Sequence, residues 1–211
     1  MTHAATDGSD TTGIQLNEHD AIVIVDIQND FLEGGALAVQ EGHLTVPVIN
    51  SILPLFDNVV FTRDWHPPDH ISFAAQPTYE DRSWPAHAVR NTPGAQFHKD
   101  LHVPEHALIV NKATLRDREE YSGFQASEID LAKWLRDRGV LRLFIAGIAT
   151  DYCVHHTALD GAGEGFQVFV VEDAVRGISA DTVAQTWQIL AAAGVTPVLS
   201  SHLHREPRTG R

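Results

Sequence analysis

The stretch Ala21-Ile22-Val23-Ile24-Val25 decides the fold class of this chain. It is a continuous run of apolar, mostly β-branched residues, and the polar Asp26 follows it directly. A run of this kind is typical of a strand that is buried on both faces of a parallel sheet. The sequence predicts further strands at residues 58–62, 107–110, 141–146, 166–171 and 196–199, and helices at 44–56, 127–139, 152–163 and 181–193. Strands that alternate with helices form βαβ units, so we expect an α/β fold: a three-layer, mainly parallel sheet of about six strands with helices on both faces.

The length and composition of the chain are those of one folded domain. Its 211 residues are 43% apolar and 20% charged, which is enough apolar material for a substantial core. We expect a flexible polar leader at residues 1–17, a single α/β domain at 18–201 that carries all the candidate catalytic residues, and a tail at 202–211.

The charge and the apolar runs argue against several classes of partner. A formal net charge of −13 disfavours nucleic acid and anionic membranes, and the longest apolar runs are too short to span a bilayer. The N-terminus lacks the basic-then-apolar order of a secretory signal, and one cysteine cannot form an intramolecular disulfide. We therefore expect a cytoplasmic protein that binds a small molecule. Its oligomeric state stays open, a homo-oligomer included.

Four polar side chains follow successive predicted strands: Asp26, Asp64, Lys112 and Cys153. The carboxyl ends of parallel strands meet at one edge of the sheet, and ligands of such sheets bind there. We therefore expect these four side chains to lie close together. Cys153 is the only cysteine, and it stands at the start of a predicted helix, where unpaired N–H groups favour thiolate over thiol. The alternative is the commoner role of a free cysteine, a small buried hydrophobe.

A cysteine, an aspartate and a lysine at this edge could form a nucleophilic site. Asp26 could take the thiol proton and later hand it to a leaving group, and Lys112 could keep Asp26 ionised and stabilise the thiolate. The backbone N–H groups of Ala149 and Cys153, on the turn into the helix, could donate to the oxyanion formed when a thiolate attacks an amide. Taken singly, Asp26 could equally cap a turn and Lys112 could be a surface lysine. Jointly they favour the catalytic interpretation.

A second candidate site lies in the long segment after the second strand. Asp64 and His66 face the same way if this segment is extended, and His87 follows within it. Two imidazoles and a carboxylate suit one divalent metal ion, with Zn²⁺ preferred and Fe²⁺ or Mn²⁺ open. His70 could be a fourth ligand or a neighbour of the ligands. A His-rich loop without metal is the competing interpretation.

Three aromatic residues fall in loops around the same edge: Phe31, Trp84 and Tyr121. Each could simply close the hydrophobic core, or the three could stack against a flat ring of a substrate. We treat them as candidate substrate-binding residues.

At these positions the sequence resembles the nicotinamidases (pyrazinamidases) of the isochorismatase-like cysteine hydrolases. The matching stretches are residues 26–31, 62–67, 83–87, 91–95, 112–113, 121–124 and 147–154. They occur in family order and span nearly the whole chain outside its two ends. The Asp-x-His pattern at residues 64–66 and the Trp-Pro-x-His pattern at 84–87 mark the nicotinamidase branch.

The resemblance implies an isochorismatase-like hydrolase fold and a role for each matching residue. Asp26 would be the base, Lys112 its partner and Cys153 the nucleophile. The metal ligands would be Asp64, His66 and His87, and Phe31 and Trp84 would form the walls of the ring site. The resemblance also implies a cis peptide bond between Ile148 and Ala149. The implied reaction is the metal-dependent deamidation of nicotinamide, and also of pyrazinamide, to the acid and ammonia through a cysteine thioester. Nicotinamide deamidation is a step of NAD salvage.

Three other functions compete with this one. Amidohydrolases of the same superfamily that act on carbamoyl or ureido substrates generally lack the metal pattern. A non-catalytic metal- or ligand-binding protein would not need Asp26, Lys112 and Cys153 together. A nucleotide-binding oxidoreductase is disfavoured because the first strand runs into residues 26–28 and not into a Gly-x-Gly-x-x-Gly turn.

Overall fold

The computed structural model describes residues 13–79 and 83–206. The predicted leader up to residue 12 and the predicted tail from residue 207 onwards lie outside these ranges. Within them, no helix is both long enough and apolar enough to cross a membrane.

The described part of the chain contains a central sheet of six parallel strands and a small sheet of two. In chain order the strands are β1 (Ile14–Gln15), β2 (Asp20–Val25), β3 (Asn58–Asp64), β4 (Leu108–Lys112), β5 (Arg142–Ile148), β6 (Gln167–Arg176), β7 (Thr196–Val198) and β8 (Leu203–His204). The central sheet has the order β4-β3-β2-β5-β6-β7, and each neighbouring pair in it is parallel. The α-helices of the described residues are α1 (Thr45–Ile52), α2 (Leu131–Arg136), α3 (His155–Gly163) and α4 (Ala180–Ala192).

Helices cover both faces of the central sheet. On one face, Ile22 of β2 belongs to the same buried cluster as Ile49 of α1. On the other face, Val23 belongs to the cluster to which α2, α3 and α4 contribute Leu131, Ala158 and Leu190. Neighbouring residues of a strand face opposite sides, which is why a strand covered on both faces has no polar position in its run. The predicted three-layer α/β fold with its parallel sheet is confirmed.

The order of the strands reverses between β2 and β5. The chain adds β3 and β4 on one side of β2, and then returns to place β5, β6 and β7 on the other side. In sheets of this type, ligands bind outside the carboxyl ends of the strands at such a reversal. Asp26 follows β2 directly, and Cys153 lies on the turn after β5, so both flank this point.

Two helices are shorter than predicted, each for a local reason. α2 begins after Asp130 and not at Ser127, because the Asp130 side chain caps the helix by accepting from the backbone N–H of Lys133 at 2.8 Å. α1 begins one residue after the predicted start of 44–56 but ends at Ile52, since the 3₁₀ turn that follows it contains Pro54, which cannot donate to an α-helical hydrogen bond.

Two elements near the carboxyl edge also differ from the prediction. The predicted helix at residues 152–163 divides into a π-helical turn, Thr150–Val154, and α3. β6 continues past its predicted end at residue 171, because its second half pairs with Gly147 and Ile148 at the end of β5.

The two ends of the described chain form the small sheet. β1 and β8 pair in parallel, with Ile14 opposite Leu203 and Gln15 opposite His204. These residues fall inside the segments predicted to be leader and tail. The folded part therefore extends beyond residues 18–201 at both ends.

Candidate active site

The carboxyl edge of the sheet brings together four polar side chains: Asp64 and Lys112 are the last residues of β3 and β4, and Asp26 and Cys153 follow β2 and β5. Asp26, Asp64, Lys112 and Cys153 are all buried there. The ligand atoms of Asp26, Asp64 and Cys153 lie within 4.8 Å of one another. The sequence placed these residues on one edge, and the structure adds that they form a single contact group.

Lys112 is the centre of this group. Its Nζ lies 2.8 Å from Oδ2 of Asp26 and 3.3 Å from Sγ of Cys153, and it also donates a hydrogen bond to Oδ1 of Asp64. The side chain is 0% exposed, and burial by itself would lower the pKa of the ammonium group. Asp26 and Asp64 outweigh burial and raise the pKa of Lys112 well above its ordinary value, so the lysine stays charged.

The two carboxylates beside Lys112 differ in their proton affinity. Burial raises the pKa of Asp26 above its ordinary value; Lys112 opposes this shift and Asp64 adds to it. Burial also acts to raise the pKa of Asp64, but Lys112 and His66 outweigh it and hold that pKa well below its usual range. Asp64 is therefore a permanent anion, whereas Asp26 is the carboxyl of the site that can take up a proton. Thr62 orients Asp26 by donating its hydroxyl hydrogen to Oδ1 at 2.7 Å.

Cys153 lies on the π-helical turn, and its side chain is buried. Burial raises the pKa of its thiol well above the ordinary value, and Asp26 adds to this shift while Lys112 opposes it. Burial therefore opposes the stabilisation of the thiolate that the start of a helix provides, and it outweighs the field of a single turn. A thiol of this kind needs a proton acceptor during the reaction, and Asp26 is in place to be that acceptor.

The turn that carries Cys153 also places the candidate oxyanion donors. The peptide bond between Ile148 and Ala149 is cis, as the resemblance implies. The carbonyl oxygen of Ala149 accepts from the N–H groups of Tyr152 and Val154, each at 3.1 Å, which ties the turn to the end of β5. Ala149 and Cys153 both line the pocket described below.

Asp64, His66 and His87 form a buried group suited to a metal ion. Their ligand atoms lie within 4.8 Å of one another. Among the described residues, neither ring nitrogen of His66 has a hydrogen-bond partner, although both are buried. Buried polar atoms without partners are rare, and a metal ion would satisfy them. This donor set therefore fits a divalent cation.

His87 is held in the tautomer that metal binding requires. Its Nδ1 lies 2.7 Å from the carbonyl oxygen of Pro85. A carbonyl only accepts, so Nδ1 carries the hydrogen and Nε2 keeps a free lone pair. Burial, and then the neighbouring His66, lower the pKa of His87, which keeps the ring neutral as a ligand must be.

His70 lies beside these ligands, but its ring nitrogens have protein partners. Its ring centroid is 4.3 Å from that of His66. Nδ1 lies 2.8 Å from Oγ of Ser72, and Nε2 lies 3.1 Å from the carbonyl oxygen of Arg118. Since that carbonyl only accepts, Nε2 carries the hydrogen and Nδ1 accepts from Ser72. His70 groups with His66 and Glu119, and not with the other two candidate ligands.

A pocket with about 470 Å³ of empty space opens onto Cys153 and Asp26. All three aromatic residues proposed from the sequence line it. Phe31 and Trp84 are buried, and the indole N–H of Trp84 donates to Oη of Tyr121 at 3.3 Å. The pocket therefore has flat apolar walls next to the thiol of Cys153.

Several residues that shape this site were missed in the sequence. The additional lining residues are Leu37, Val39, Glu119, Ile148, Tyr152 and Ile178. Tyr152 packs edge-on against Trp84, with ring centroids 5.2 Å apart, and its position beside Cys153 was the available clue. Gln28 fixes Asp64: its amide accepts from the Asp64 N–H and donates to the Asp64 carbonyl, both at 2.8 Å. Gln28 lies in the matching stretch 26–31, which could have suggested such a role.

The chain is similar to characterised proteins over most of its length. Residues 20–202 match the family described as "Isochorismatase domain". The nicotinamidase/pyrazinamidase of Mycobacterium tuberculosis is 40% identical over 189 residues, which cover 86% of this chain and 99% of the relative. The crystal structure of the pyrazinamidase of Pyrococcus horikoshii in complex with zinc is 43% identical, with a TM-score of 0.78, covering 86% of this chain and 99% of that one. The crystal structure of PnC1 from L. infantum in complex with nicotinate is 33% identical, with a TM-score of 0.84, covering 92% and 100%.

These similarities extend across the whole central sheet and include every segment that lines the pocket. The fold, with its strand reversal between β2 and β5, agrees with them. The chain belongs to the isochorismatase family.

Proposed function

We propose that this protein is a metal-dependent cysteine amidohydrolase that converts nicotinamide to nicotinate and ammonia. The proposal rests on the contacts of Lys112. This side chain contacts the candidate nucleophile Cys153, the candidate base Asp26 and the candidate metal ligand Asp64 at the same time. These contacts bring the groups needed for acyl transfer next to a group that could bind a metal ion, and the metal ion could in turn bind the substrate. The named activities of the relatives support the same substrate class.

The pocket supports a small aromatic carboxamide as the substrate. Phe31, Trp84, Asp64, His87 and Cys153 all line this pocket. A flat ring would pack against Phe31 and Trp84, with its carboxamide toward Cys153 and its ring nitrogen toward Asp64 and His87. The nicotinate in the L. infantum relative is the product that such a substrate would give. We include pyrazinamide, which also has a ring nitrogen and a carboxamide. We place the reaction in cytoplasmic NAD salvage.

In the first half-reaction, Asp26 takes the thiol proton of Cys153 as Sγ attacks the carboxamide carbon. The backbone N–H groups of Ala149 and Cys153 donate to the oxygen that becomes negative. When the carbon–nitrogen bond breaks, Asp26 returns the proton to the leaving nitrogen, which departs as ammonia. A nicotinoyl thioester on Cys153 remains.

In the second half-reaction, water hydrolyses the thioester. Asp26 is a carboxylate again, and it takes a proton from the water that attacks the carbonyl carbon. The carbon–sulfur bond breaks, and Asp26 returns its proton to the thiolate of Cys153. The acid loses its proton to solvent and is released as nicotinate. Lys112 stays charged throughout and balances the carboxylate when Asp26 is ionised.

The residues that would hold the metal are Asp64, His66 and His87. Its chemistry, when bound, is that of a Lewis acid toward the ring nitrogen, which draws electrons from the carboxamide. Zn²⁺ is the first candidate because two imidazoles and a carboxylate suit it, and Fe²⁺ and Mn²⁺ accept the same donors. Asp64 also keeps its contact with Lys112, so the same carboxylate links metal binding to the reacting group.

Ammonia release tests this proposal. Wild-type protein loaded with Zn²⁺ should release ammonia from nicotinamide, chelator-treated protein should release far less, and adding Zn²⁺ back should restore the rate. A carbamoyl amino acid serves as the competing substrate. Turnover of that compound in place of nicotinamide, or a rate from nicotinamide that the chelator does not change, would contradict the proposal.

A further inference from the structure

The segment between β6 and α4 contributes an apolar wall to the pocket. It consists of residues 177–179, and Ile178 at its centre lines the pocket. The Ile178 side chain is nonetheless 48% exposed, which is high for a large apolar residue. Part of the apolar surface of this isoleucine at the pocket rim is therefore in contact with water. A ligand in the pocket would cover that surface.

Asp151 fastens this segment to the turn that carries the nucleophile. Oδ1 of Asp151 accepts from the N–H of Ile178 at 3.0 Å, and Oδ2 accepts from the same N–H at 3.2 Å and from that of Ser179 at 3.4 Å. The hydroxyl of Thr182 in the first turn of α4 also donates to Oδ2. Asp151 lies two positions before Cys153, so Ile178 is held in a fixed place relative to the sulfur. Hydrogen bonds to a carboxylate are stronger than neutral ones.

The glycine before Ile178 lets the segment approach this closely. A Cβ on Gly177 would collide with the Val183 side chain and would stand 3.1 Å from Oδ1 of Asp151 and 3.2 Å from Cβ of Thr150. The segment is therefore packed directly on the nucleophile turn, and there is little room for it to move aside.

Ile178 lines the same pocket as Cys153, and Asp151 ties the segment that contains Ile178 to the turn that carries Cys153. A substrate whose carboxamide carbon is attacked by Cys153 has its carboxamide nitrogen beside this turn. A substituent on that nitrogen would then meet Ile178.

We propose that Ile178 is a specificity-determining residue that restricts the site to primary carboxamides, and that Asp151 is the positioning residue that holds it. The inference rests on the proposed function, because it takes the orientation of the substrate from it. An extra methyl group in an apolar pocket changes rates by about 10- to 200-fold, so one isoleucine is sufficient for strong selection.

The test compares nicotinamide with N-methylnicotinamide, whose hydrolysis gives the same nicotinate and can be followed with one chromatographic assay. Ile178→Ala should raise the ratio of kcat/KM for N-methylnicotinamide to kcat/KM for nicotinamide by about tenfold or more. Ile189→Ala is the matched control, since Ile189 lies on α4, is 47% exposed and does not line the pocket. The control should leave the ratio unchanged.

A double-mutant cycle tests the positioning role of Asp151. Asp151→Asn removes the charge and one acceptor, and it should raise the same ratio by a smaller factor in the wild-type background. It should have no further effect on the ratio in the Ile178→Ala background, because the side chain that it positions is then absent. A merely structural role would instead change both substrates equally in both backgrounds.

The outcomes separate this inference from the proposed function. Wild-type protein that forms nicotinate from neither substrate would overturn both. Wild-type protein that hydrolyses nicotinamide, with a ratio that Ile178→Ala leaves unchanged or that Ile189→Ala changes equally, would overturn only the role of Ile178. A further rise of the ratio on adding Asp151→Asn to Ile178→Ala would overturn the role of Asp151.

Discussion

Replacing Lys112 with methionine should destabilise the folded protein strongly, because it leaves two buried carboxylates without their shared cation. Methionine keeps most of the packing of the lysine stem and removes only the charged end. Asp26 lies 2.8 Å from that end, and Asp64 is hydrogen-bonded to it. Lys112 is 0% exposed, so water cannot take the place of the lost ammonium group.

The expected loss of unfolding free energy follows from the number of carboxylates that Lys112 contacts. Removing one member of a buried ion pair costs about 3–5 kcal/mol, and the value should lie in the upper half of this range because Lys112 serves two carboxylates. A loss of about 4–5 kcal/mol is roughly a thousandfold change in the unfolding equilibrium. With an m-value of about 3 kcal/mol per M, the midpoint in urea should fall by roughly 1.5 M.

The assay is urea unfolding of chelator-treated protein, followed by tryptophan fluorescence and far-UV circular dichroism. The chelator is needed because a metal at Asp64 would compensate in part for the missing charge. Lys133→Met is the matched control: Lys133 pairs with Asp137 at 2.6 Å, but the two side chains are 68% and 57% exposed. An exposed pair of this kind contributes about 1 kcal/mol or less.

A loss of unfolding free energy in Lys112→Met no larger than that in Lys133→Met would contradict this prediction, since it would mean that Lys112 does not hold the two carboxylates. A second comparison uses Asp26→Asn together with Lys112→Met. This double variant should be more stable than Lys112→Met alone, because one of the unpaired charges is gone.

Three further predictions concern the chemistry. Asp26→Asn cannot accept the thiol proton, so kcat for nicotinamide should fall by about 10²- to 10⁴-fold with little change in metal content; a fall of less than fivefold would remove Asp26 as the base. His66→Ala and His87→Ala should each lose bound Zn²⁺ by elemental analysis, whereas His43→Ala, a histidine 46% exposed and 3.9 Å from a carboxylate, should keep it. Full Zn²⁺ occupancy in either of the first two would take that residue off the ligand set. Burial and the neighbouring Asp26 raise the pKa of Cys153. The alkylation rate of an exposed cysteine levels off above its pKa of about 8.5. In chelator-treated enzyme, the alkylation rate of Cys153 should still increase above that pH. A plateau at or below about pH 8.5 would contradict this prediction.

The position of the site was predictable because it depends on strand direction alone. Apolar β-branched runs identify parallel strands, and the residues after them must share an edge, which is enough to bring Asp26 and Cys153 together. The contact of Lys112 with Asp64 was not predictable. It arises because β3 and β4 are neighbours in the register that sets Asp64 opposite Lys112. Strand order and register depend on the packing of the whole sheet and leave no local pattern in the sequence.

The burial that raises the pKa of Cys153 was not predictable, for a similar reason. The field of a helix start is a local property that can be read from a motif, whereas burial depends on the other segments that cover the residue. The pairing of Ile14 with Leu203 also joins parts of the chain that are far apart, and each segment on its own is too short to identify as a strand. Ile178 escaped notice because its position depends on Asp151, across the strand-to-helix connection.

The most direct test of the central claim is mass spectrometry of the wild-type enzyme quenched with acid during turnover of nicotinamide. An added nicotinoyl group is expected on the peptide that contains Cys153. It should be absent from Cys153→Ala, which should bind Zn²⁺ but release no ammonia above background. A nicotinoyl group on another residue, or ammonia release by Cys153→Ala near the wild-type rate, would contradict the covalent mechanism.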